Sequence, residues 1–341
     1  MHCDYVIIGA GSAGCVLANR LSADPSNKVL LLEAGGQDRN LWIHVPVGFQ
    51  KLLNHPTLNW NFKTEPEDNV KGRSIPIPRG KALGGSSSIN GMLYVRGQPL
   101  DYDVWAQLGN QGWSYEDVLP YFRKTESFER GGSDVRGGEG PLNVADMYER
   151  HEMIDAFIEA GVECGHERNA DYNGRKQDGF GYYQITQKNG RRHSTAAAYL
   201  DPVRRRPNLN VVTNAHVKKL LIEGKRAVGV SYDVDGKAEE VRAAASVIVS
   251  AGAVQSPQLL ELSGIGAPAL LREHGIEPLH ELPGVGENYR DHFAARLNWR
   301  VNQRITLNED TKGLRFAREI IKYAFTRRGI LTFTAGIGHG F

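Results

Sequence analysis

The segment DYVIIGAGSAGCVLANRLSADPSNKVLLLEAGG, residues 4–36, decides the fold. Its apolar run from Tyr5 to Ile8 predicts a buried strand, Ala13 to Leu21 predicts a helix, and Lys28 to Leu32 predicts a second strand. A strand, helix and strand in this order form a βαβ unit, which is typical of a parallel sheet covered by helices. The predicted fold class is therefore α/β, with a Rossmann-like domain that binds FAD or NAD(P).

The turn between the first strand and the helix carries the glycines Gly9, Gly11 and Gly14 in GxGxxG spacing. The first glycine permits the tight turn, the second lets backbone amides approach a pyrophosphate, and the third lets helix and strand pack closely. Ser12 and Ala13 begin the helix, whose N-terminus is expected to face the phosphates, and Ser12 is expected to help cap it. The pattern indicates a dinucleotide ligand.

Glu33 ends the second strand and is followed by Ala34. An acidic side chain at this distance from the glycines accepts hydrogen bonds from a ribose hydroxyl pair, and its charge disfavours a 2′-phosphate. With both strands and Glu33 in place, a glycine turn without a ligand is the weaker interpretation. These residues alone leave FAD and NAD both open.

The composition limits the classes of ligand and partner that the protein is expected to bind. The 341 residues include 41 basic and 39 acidic side chains, a formal net charge of +2, so we expect a small-molecule ligand and no nucleic acid. Cys3, Cys15 and Cys164 lack metal-site or disulfide spacing, so we expect free thiols and no metal. Apolar runs are too short for a transmembrane segment, and we expect a cytoplasmic protein, possibly peripheral to a membrane. The oligomeric state is not readable from the sequence.

Three further segments carry a resemblance. They are RGKALGGSSSINGMLYVRG at 79–97, GAVQSPQLLELSGIG at 252–266 and LPGVGENYRDH at 282–292. Together with GAGSAG at 9–14, they resemble the glucose-methanol-choline (GMC) family of FAD-dependent oxidoreductases, in particular its choline dehydrogenase-like members. The resemblance covers nearly the whole chain in the right order and implies FAD as the cofactor.

The resemblance implies further FAD contacts. Gly84 and Gly85 give a compact loop rich in backbone N–H groups, with serine hydroxyls suited to a pyrophosphate or a flavin edge. The segment that follows is expected to contact the flavin near its reactive nitrogen through Asn90, Gly91, Met92 and Leu93. Some family members tether the flavin through a histidine immediately before this asparagine. Ile89 stands there in this chain, so we expect a dissociable, non-covalent FAD.

Other residues are candidates for contact with the ADP half of the cofactor. Ala251 and Gly252 follow a buried strand, and such small residues bring main chain close to a ligand. By resemblance, the backbone of Val217 holds the adenine and Trp60 lies near the cofactor, although a tryptophan there is about as often simply part of the core. Ser256 and Pro257 are interpreted as the N-cap and first-turn proline of a helix at 258–262.

No catalytic residue is assigned. Hydride transfer from an alcohol needs a base for the hydroxyl proton, usually a histidine with a pKa near the working pH. The resemblance implies that this base comes from a C-terminal segment with no counterpart before Phe341, and His292 and His339 are interpreted as structural. We therefore expect a fragment or a truncated product with weak or absent alcohol oxidation.

The predicted architecture has two domains. An FAD-binding domain comprises residues 1–146 and 196–293, and an incomplete α+β substrate domain comprises 147–195 and 294–341. The substrate domain is expected to contain an antiparallel sheet that begins at Ala294 and helices such as Leu314 to Phe325.

Three functions remain open. The favoured one is an FAD-dependent dehydrogenase or oxidase of a primary alcohol, choline-like or other, with oxygen or a quinone as electron acceptor. The second is a lyase of the same fold in which FAD is structural, and the third is a non-catalytic flavin-binding remnant. An NAD-dependent dehydrogenase fits less well, because GGSSSINGM has no role in that class.

Overall fold

The computed structural model describes residues 2–292 and 294–341 and divides into two compact units. The first unit comprises Met1–Arg39, Leu53–Ile89 and Thr195–Trp299. The second comprises Asn40–Leu52, Asn90–Ser194 and Arg300–Phe341. Residues 40–52 and 90–146 thus lie in the second unit, whereas the sequence analysis gives them to the FAD-binding domain. The predicted limits Met1 and Phe293 lie outside the described residues, and the domain boundaries stay a prediction.

A six-stranded sheet forms the centre of the first unit. In chain order its strands are β1 (His2–Ile8), β2 (Val29–Glu33), β3 (Leu209–Thr213), β4 (Ala215–Glu223), β5 (Arg226–Val234) and β6 (Lys237–Val249). Their order across the sheet is β3-β2-β1-β6-β5-β4. The strands β3, β2, β1 and β6 are parallel to one another, and β4, β5 and β6 form an antiparallel meander. The predicted α/β fold is confirmed.

The register of the parallel strands fixes the place of the candidate site. Ile8, the last residue of β1, pairs with Leu32 of β2 and with Val249 of β6. The carboxyl ends of these three strands therefore meet at one edge of the sheet, where ligands bind in open α/β folds.

The core of the first unit is apolar. Val6 of β1 and Val230 of β5 are fully buried, and Leu30, Leu32 and Leu259 belong to the same cluster. Removal of these branched side chains from water stabilises the sheet and holds the strand ends in place.

The first unit contains further short elements outside the sheet. They are the helices Ser12–Leu21, Gly252–Leu262 and Pro268–Glu273, the 3-10 turns Asp68–Val70 and Gly85–Ser88, the π-helix Ala196–Leu200, and the strand pairs Phe62–Lys63 with Pro76–Ile77 and Ile265–Gly266 with His280–Glu281.

The second unit combines helices with short strands. Its helices are Leu41–His44, Phe49–Leu52, Pro99–Gln107, Tyr115–Thr125, Glu152–Glu163, Leu307–Asp310 and Gly313–Thr326, with 3-10 turns at Pro46–Gly48 and Ile330–Thr332. Its strands are Glu126–Phe128, Leu142–Asp146, Phe180–Tyr182, Gln184–Ile185, Gln187–Lys188, Arg191–Arg192 and Gly338–Gly340. The helix predicted at Leu314 to Phe325 is confirmed, with one more residue at each end.

A buried charge cluster lies at the centre of the second unit. Glu126 is 0% exposed, and its carboxylate accepts from the guanidinium groups of Arg96 and Arg136, including Arg136 Nε at 3.1 Å from Oε1. The N–H of Gly137 donates to the same carboxylate at 2.9 Å. Arg136 also contacts Asp171, so each charge of the cluster has an opposite partner.

The expectation of a strand that begins at Ala294 is wrong. Residues 294–300 are exposed and have no strand to pair with among the described residues. In the second unit, the glycine-rich stretch 131–140 is anchored, because Val135 and Arg136 are buried.

Within residues 2–292 and 294–341, no helix is both long enough and apolar enough to cross a bilayer.

Candidate cofactor-binding site

The glycine turn lies between β1 and the Ser12–Leu21 helix. Gly9 has φ +91°, and a Cβ there would lie 2.7 Å from the carbonyl oxygen of Ser250. A Cβ on Gly14 would overlap the carbonyl oxygen of Gly9. Both positions therefore require glycine for the fold itself, as the spacing predicts.

Gly11 differs from its two neighbours in the motif. It is the N-cap of the Ser12–Leu21 helix with φ −74° and ψ −162°, which any residue can adopt, and a Cβ there would meet no atom within 4 Å. Ser12 is the first helical residue and no side chain caps the helix, so the prediction that Ser12 caps it is wrong. In the described part of the chain no side chain accepts from the first-turn amides, which remain available to an anion.

Glu33 lies at the carboxyl end of β2 and is 5% exposed. The N–H of Ala10 donates to its Oε2 and the N–H of Gly35 to its Oε1, each at 2.8 Å. Burial raises the pKa of Glu33 to about 7, against the opposing effects of these two amides and of the Lys81 charge. Each carboxylate oxygen retains a second lone pair for another donor.

The loop of the second motif packs against the glycine turn. Gly84 has φ +85° and its N–H donates to the carbonyl of Ala10 at 2.8 Å. Gly85 has φ +52°, and a Cβ there would lie 2.7 Å from Gly11 Cα. Two motifs more than 70 residues apart in the sequence are thus in backbone contact.

The three serine hydroxyls of this loop, those of Ser86, Ser87 and Ser88, have two different roles. Ser88 Oγ donates to the carbonyl of Leu83 at 2.6 Å, and Ser87 Oγ donates to the carbonyl of Gly84 at 2.6 Å. These two hydroxyls stabilise the loop internally, and of the three serines only Ser86 lines the cavity described below.

An aromatic group flanks the glycine turn on another side. The Trp60 ring stacks on Phe62 with centroids 5.7 Å apart and meets the His216 ring edge-on at 5.6 Å. Lys81 Nζ lies 4.4 Å from the Trp60 ring centroid, a cation–π contact. Burial first, and then the charges of Lys218 and Lys81, lower the pKa of His216, which favours the neutral form of this ring.

These groups surround a cavity of about 560 Å³ that lies entirely within the first unit. This volume suits a cofactor-sized ligand. Eleven of the residues predicted from the sequence line it: Gly9, Gly11, Ser12, Ala13, Glu33, Ala34, Trp60, Gly85, Val217, Ala251 and Gly252. Gly14 and Gly84 are not among the lining residues and act through the backbone packing described above.

The cavity also contains residues that the sequence analysis missed. Arg79 and His216 both line it, and neither is among the cofactor contacts predicted from the sequence. Arg79 Nη2 donates to the Tyr289 hydroxyl at 2.9 Å, which joins the second motif to the stretch 282–292. The position of His216 directly before Val217 was the signal that could have identified it.

The helix after β6 begins earlier than predicted. It spans Gly252–Leu262, with Ala251 as N-cap and Gly252 at φ +90°. The interpretation of Ser256 and Pro257 as its N-cap and first-turn proline is wrong, because Pro257 lies inside the helix. The earlier start places the helix N-terminus directly after the strand end, where Ala251 and Gly252 line the cavity.

The predicted flavin-contact segment lies in the second unit. Asn90 Oδ1 accepts from the N–H of Met92 at 3.1 Å and from Arg192 Nη1 at 2.8 Å. Met92 is buried at φ +61°, and a Cβ on Gly91 would overlap Ala335. Leu93 forms a β-bridge with Ile185. Backbone contacts thus fix Asn90 to Leu93 within their own unit.

Two histidines that are shielded from water, the half-buried His193 and the buried His339, are poor proton acceptors at neutral pH. His193 Nδ1 accepts from the N–H of Asn143 at 3.0 Å, and burial lowers the pKa of His193 to about 4. Burial likewise lowers the pKa of His339, which lies among aromatic rings, to about 4. His292 is exposed on the surface.

Comparison with known proteins identifies the family. The family model of the GMC oxidoreductases matches residues 3–294. This chain belongs to the GMC oxidoreductase family. The resemblance read from the four motifs is confirmed, and the predicted FAD cofactor is that of the family.

Two curated relatives and one solved structure illustrate the similarity. An oxygen-dependent choline dehydrogenase from Photobacterium profundum is 48% identical over 94% of this chain and 57% of that protein. An alcohol dehydrogenase (acceptor) from Pseudomonas putida is 46% identical over 99% of this chain and 62% of that protein. An FAD-dependent oxidoreductase from Chaetomium thermophilum has a TM-score of 0.89 at 29% identity, over 98% of this chain and 61% of that one. The chain therefore spans less than two thirds of the length of these relatives.

Proposed function

We propose that this chain forms the FAD-binding part of an oxidoreductase that acts on the CH–OH group of a primary alcohol. The cavity of the first unit carries the proposal, because the glycine turn, Glu33 and the second GMC motif meet there at the carboxyl ends of β1 and β2. We propose choline or another primary alcohol as the substrate, because the two relatives are a choline dehydrogenase and an alcohol dehydrogenase.

The residues that line the cavity fit the ADP half of FAD. We assign the pyrophosphate to the first-turn amides of Ser12 and Ala13, beside the open space at Gly11. We assign a ribose hydroxyl to Glu33, which retains acceptor capacity beyond its two backbone donors. The contact of Val217 with adenine and the roles of Asn90 to Leu93 rest on the family resemblance.

The chemistry that FAD would supply when bound is the acceptance of a hydride from the alcohol carbon. This chain's contribution is binding and orientation of the cofactor, and we assign the base to none of the described histidines. His193 and His339, with pKa values of about 4, hold a proton too weakly to act at neutral pH. We further propose that the FAD is non-covalent, because the tether position holds Ile89, a buried aliphatic side chain.

The test is FAD binding by the purified chain and by Gly11→Ala. Alanine fits the backbone of Gly11 and meets no protein atom, so the fold is expected to be unchanged within about 0.5 kcal/mol. Its methyl group enters the cavity, and we expect FAD affinity to fall at least about tenfold, which corresponds to about 1.4 kcal/mol. Flavin fluorescence quenching measures the affinity and urea denaturation the stability.

Gly284→Ala is the matched control. Gly284 is exposed, has no positive φ, and a Cβ there also meets no atom within 4 Å, but it does not line the cavity. Equal FAD affinity of the two variants would contradict the assigned pyrophosphate position, and a chain that binds no FAD would overturn the proposed function.

Two further measurements address the cofactor bond and the chemistry. Acid treatment followed by filtration is expected to release all the flavin, whereas flavin that stays with the polypeptide would contradict non-covalent binding. Anaerobic addition of choline or a simple primary alcohol is expected to bleach the flavin absorbance weakly or not at all. Rapid bleaching would show that a described residue supplies the base.

A further inference from the structure

The Gly313–Thr326 helix of the second unit has one buried side. Tyr323 is buried against Val45 and Leu331, and its hydroxyl donates to the carbonyl of Gly190 at 3.0 Å. These contacts fix the orientation of the helix on its unit, and therefore they fix which side chains face outward.

An apolar stripe runs along the outward side of this helix. Leu314 is 91% exposed, Ile321 is 59% exposed and Phe325 is 86% exposed. Ala317 and Ala324 are exposed between them, and the spacing of three and four residues puts all five on one face. Large apolar side chains grouped on one exposed face indicate an interaction surface.

Basic residues border this stripe. Between positions 312 and 328 there are six basic residues and one acidic residue: Lys312, Arg315, Arg318, Lys322, Arg327, Arg328 and Glu319. Glu319 Oε2 accepts from the N–H of Ile330 at 3.2 Å, and only Lys322 of the basic residues has an acidic partner in the described part of the chain, Glu149 at 3.7 Å. The acidic residues Glu309 and Asp310 belong to the preceding short helix. The Gly313–Thr326 helix and its flanking residues are strongly basic.

We propose that this helix docks the protein onto a bilayer that contains anionic lipids. An exposed helix face with leucine and phenylalanine, bordered by lysine and arginine, is suited to lie in the interfacial plane of a membrane. Its apolar side chains enter the acyl boundary while its basic side chains meet the negative surface potential. The inference goes beyond the proposed function, because lipid binding requires no flavin.

Charge complementarity favours lipid over a second copy of the chain. Two copies that met through this face would bring their basic residues together, with mutual repulsion. The net charge of the whole chain is only +2, so the excess of basic residues on this helix is a local feature. An anionic bilayer satisfies both the apolar stripe and the charges around it.

The test is cosedimentation of the full chain with vesicles of phosphatidylcholine and phosphatidylglycerol at a 3:1 ratio. We expect binding that weakens as salt rises from about 50 to 500 mM, because the Debye length shortens. Pure phosphatidylcholine vesicles are expected to bind at least about tenfold more weakly. A wild-type chain that stays in the supernatant at low salt would overturn the proposal.

Two double variants separate the apolar and the charged contributions. Leu314→Gln with Phe325→Gln is expected to reduce partition about tenfold or more, since both side chains are exposed and contribute little to folding. Arg315→Gln with Arg318→Gln is expected to reduce binding to anionic vesicles by about tenfold while binding to neutral vesicles is unchanged. Far-UV circular dichroism verifies the fold of each variant.

Each variant has a matched control on another helical segment. Leu100→Gln with Leu108→Gln removes two exposed leucines, and Arg123→Gln with Lys124→Gln removes two exposed charges. Both controls are expected to bind vesicles as the wild type does. Equal loss in test and control variants, or a concentration-dependent dimer that the Leu314 and Phe325 substitutions abolish while vesicles are not bound, would contradict lipid docking.

Discussion

The two units each bury a glutamate, but they surround it differently. Glu33 in the first unit is held by two backbone amides, and within the described residues no guanidinium or ammonium group is in hydrogen-bond contact with it. Glu126 in the second unit is held by the guanidinium groups of Arg96 and Arg136. Glu33 lines the ligand cavity, whereas Glu126 is 0% exposed.

The difference teaches how surroundings decide the role of a carboxylate. Amides compensate only part of the cost of burial, so the charge of Glu33 depends on pH. Two guanidinium groups neutralise Glu126 within the protein, so this charge belongs to the fold. The first residue is suited to binding and the second to structure.

The largest effect is expected from Glu126→Gln. Glutamine removes the negative charge that compensates two buried guanidinium groups. This loss is expected to lower the unfolding free energy by about 4 kcal/mol. Urea denaturation of the purified chain measures it. Glu139→Gln, on the exposed surface, is the control and is expected to stay within about 0.5 kcal/mol of the wild type. A loss below about 1 kcal/mol at Glu126 would mean that the cluster is not structural.

The next effect is the pH dependence that Glu33 contributes. Its pKa rises from the ordinary 4.5 to about 7 in the folded state, so between these values the folded chain holds a proton that the unfolded chain has lost. Stability from this group is therefore complete below pH 4.5 and is lost as the pH rises through about 7, on the order of 3 kcal/mol in total.

Urea denaturation of the wild type and Glu33→Gln without FAD, at several pH values between 5 and 8, measures this contribution. The wild type is expected to lose stability relative to the variant as the pH rises, because Glu33 titrates only in the wild type. Other groups such as His193 titrate in both chains and cancel in the comparison. Parallel stability curves would contradict the assigned pKa.

A smaller effect is expected on cofactor affinity. Glu33→Gln keeps one oxygen but removes the charge that strengthens a hydrogen bond from ribose, so FAD affinity at pH 8 is expected to fall about tenfold. Flavin fluorescence quenching measures it, with the exposed Glu281→Gln as control. Unchanged affinity would show that the ribose hydroxyl lies elsewhere.

The smallest effect is expected from Lys81→Gln. The charge of Lys81 lowers the pKa of Glu33, so its removal is expected to move the midpoint of the pH-dependent stability loss to higher pH. Lys63→Gln, at an exposed position, serves as the control and is expected to leave the midpoint unchanged. A shift to lower pH would contradict the assigned sign of the Lys81 contribution.

The sequence predicts the surroundings of Glu33 far better than those of Glu126. The glycine spacing and the strand pattern place Glu33 at the end of β2 because both are local and periodic. Arg96, Glu126 and Arg136 share no periodic pattern in the sequence and resemble ordinary surface charges, so only the tertiary fold shows that they meet.

Errors in the helix and strand limits have related causes. Pro257 suggests a helix start, but packing after β6 begins the helix at Gly252, because tertiary contacts override local preference. The strand expected at Ala294 lacks a neighbouring strand among the described residues, and extended residues form a sheet only by pairing.

The contribution of the buried Glu126 ion pairs to stability is expected to change with temperature. Hydration of charged groups becomes less favourable as temperature rises, so the cost of keeping Glu126, Arg96 and Arg136 away from water decreases. These three side chains are therefore expected to stabilise the fold more, relative to their separated state, near the melting temperature than in the cold.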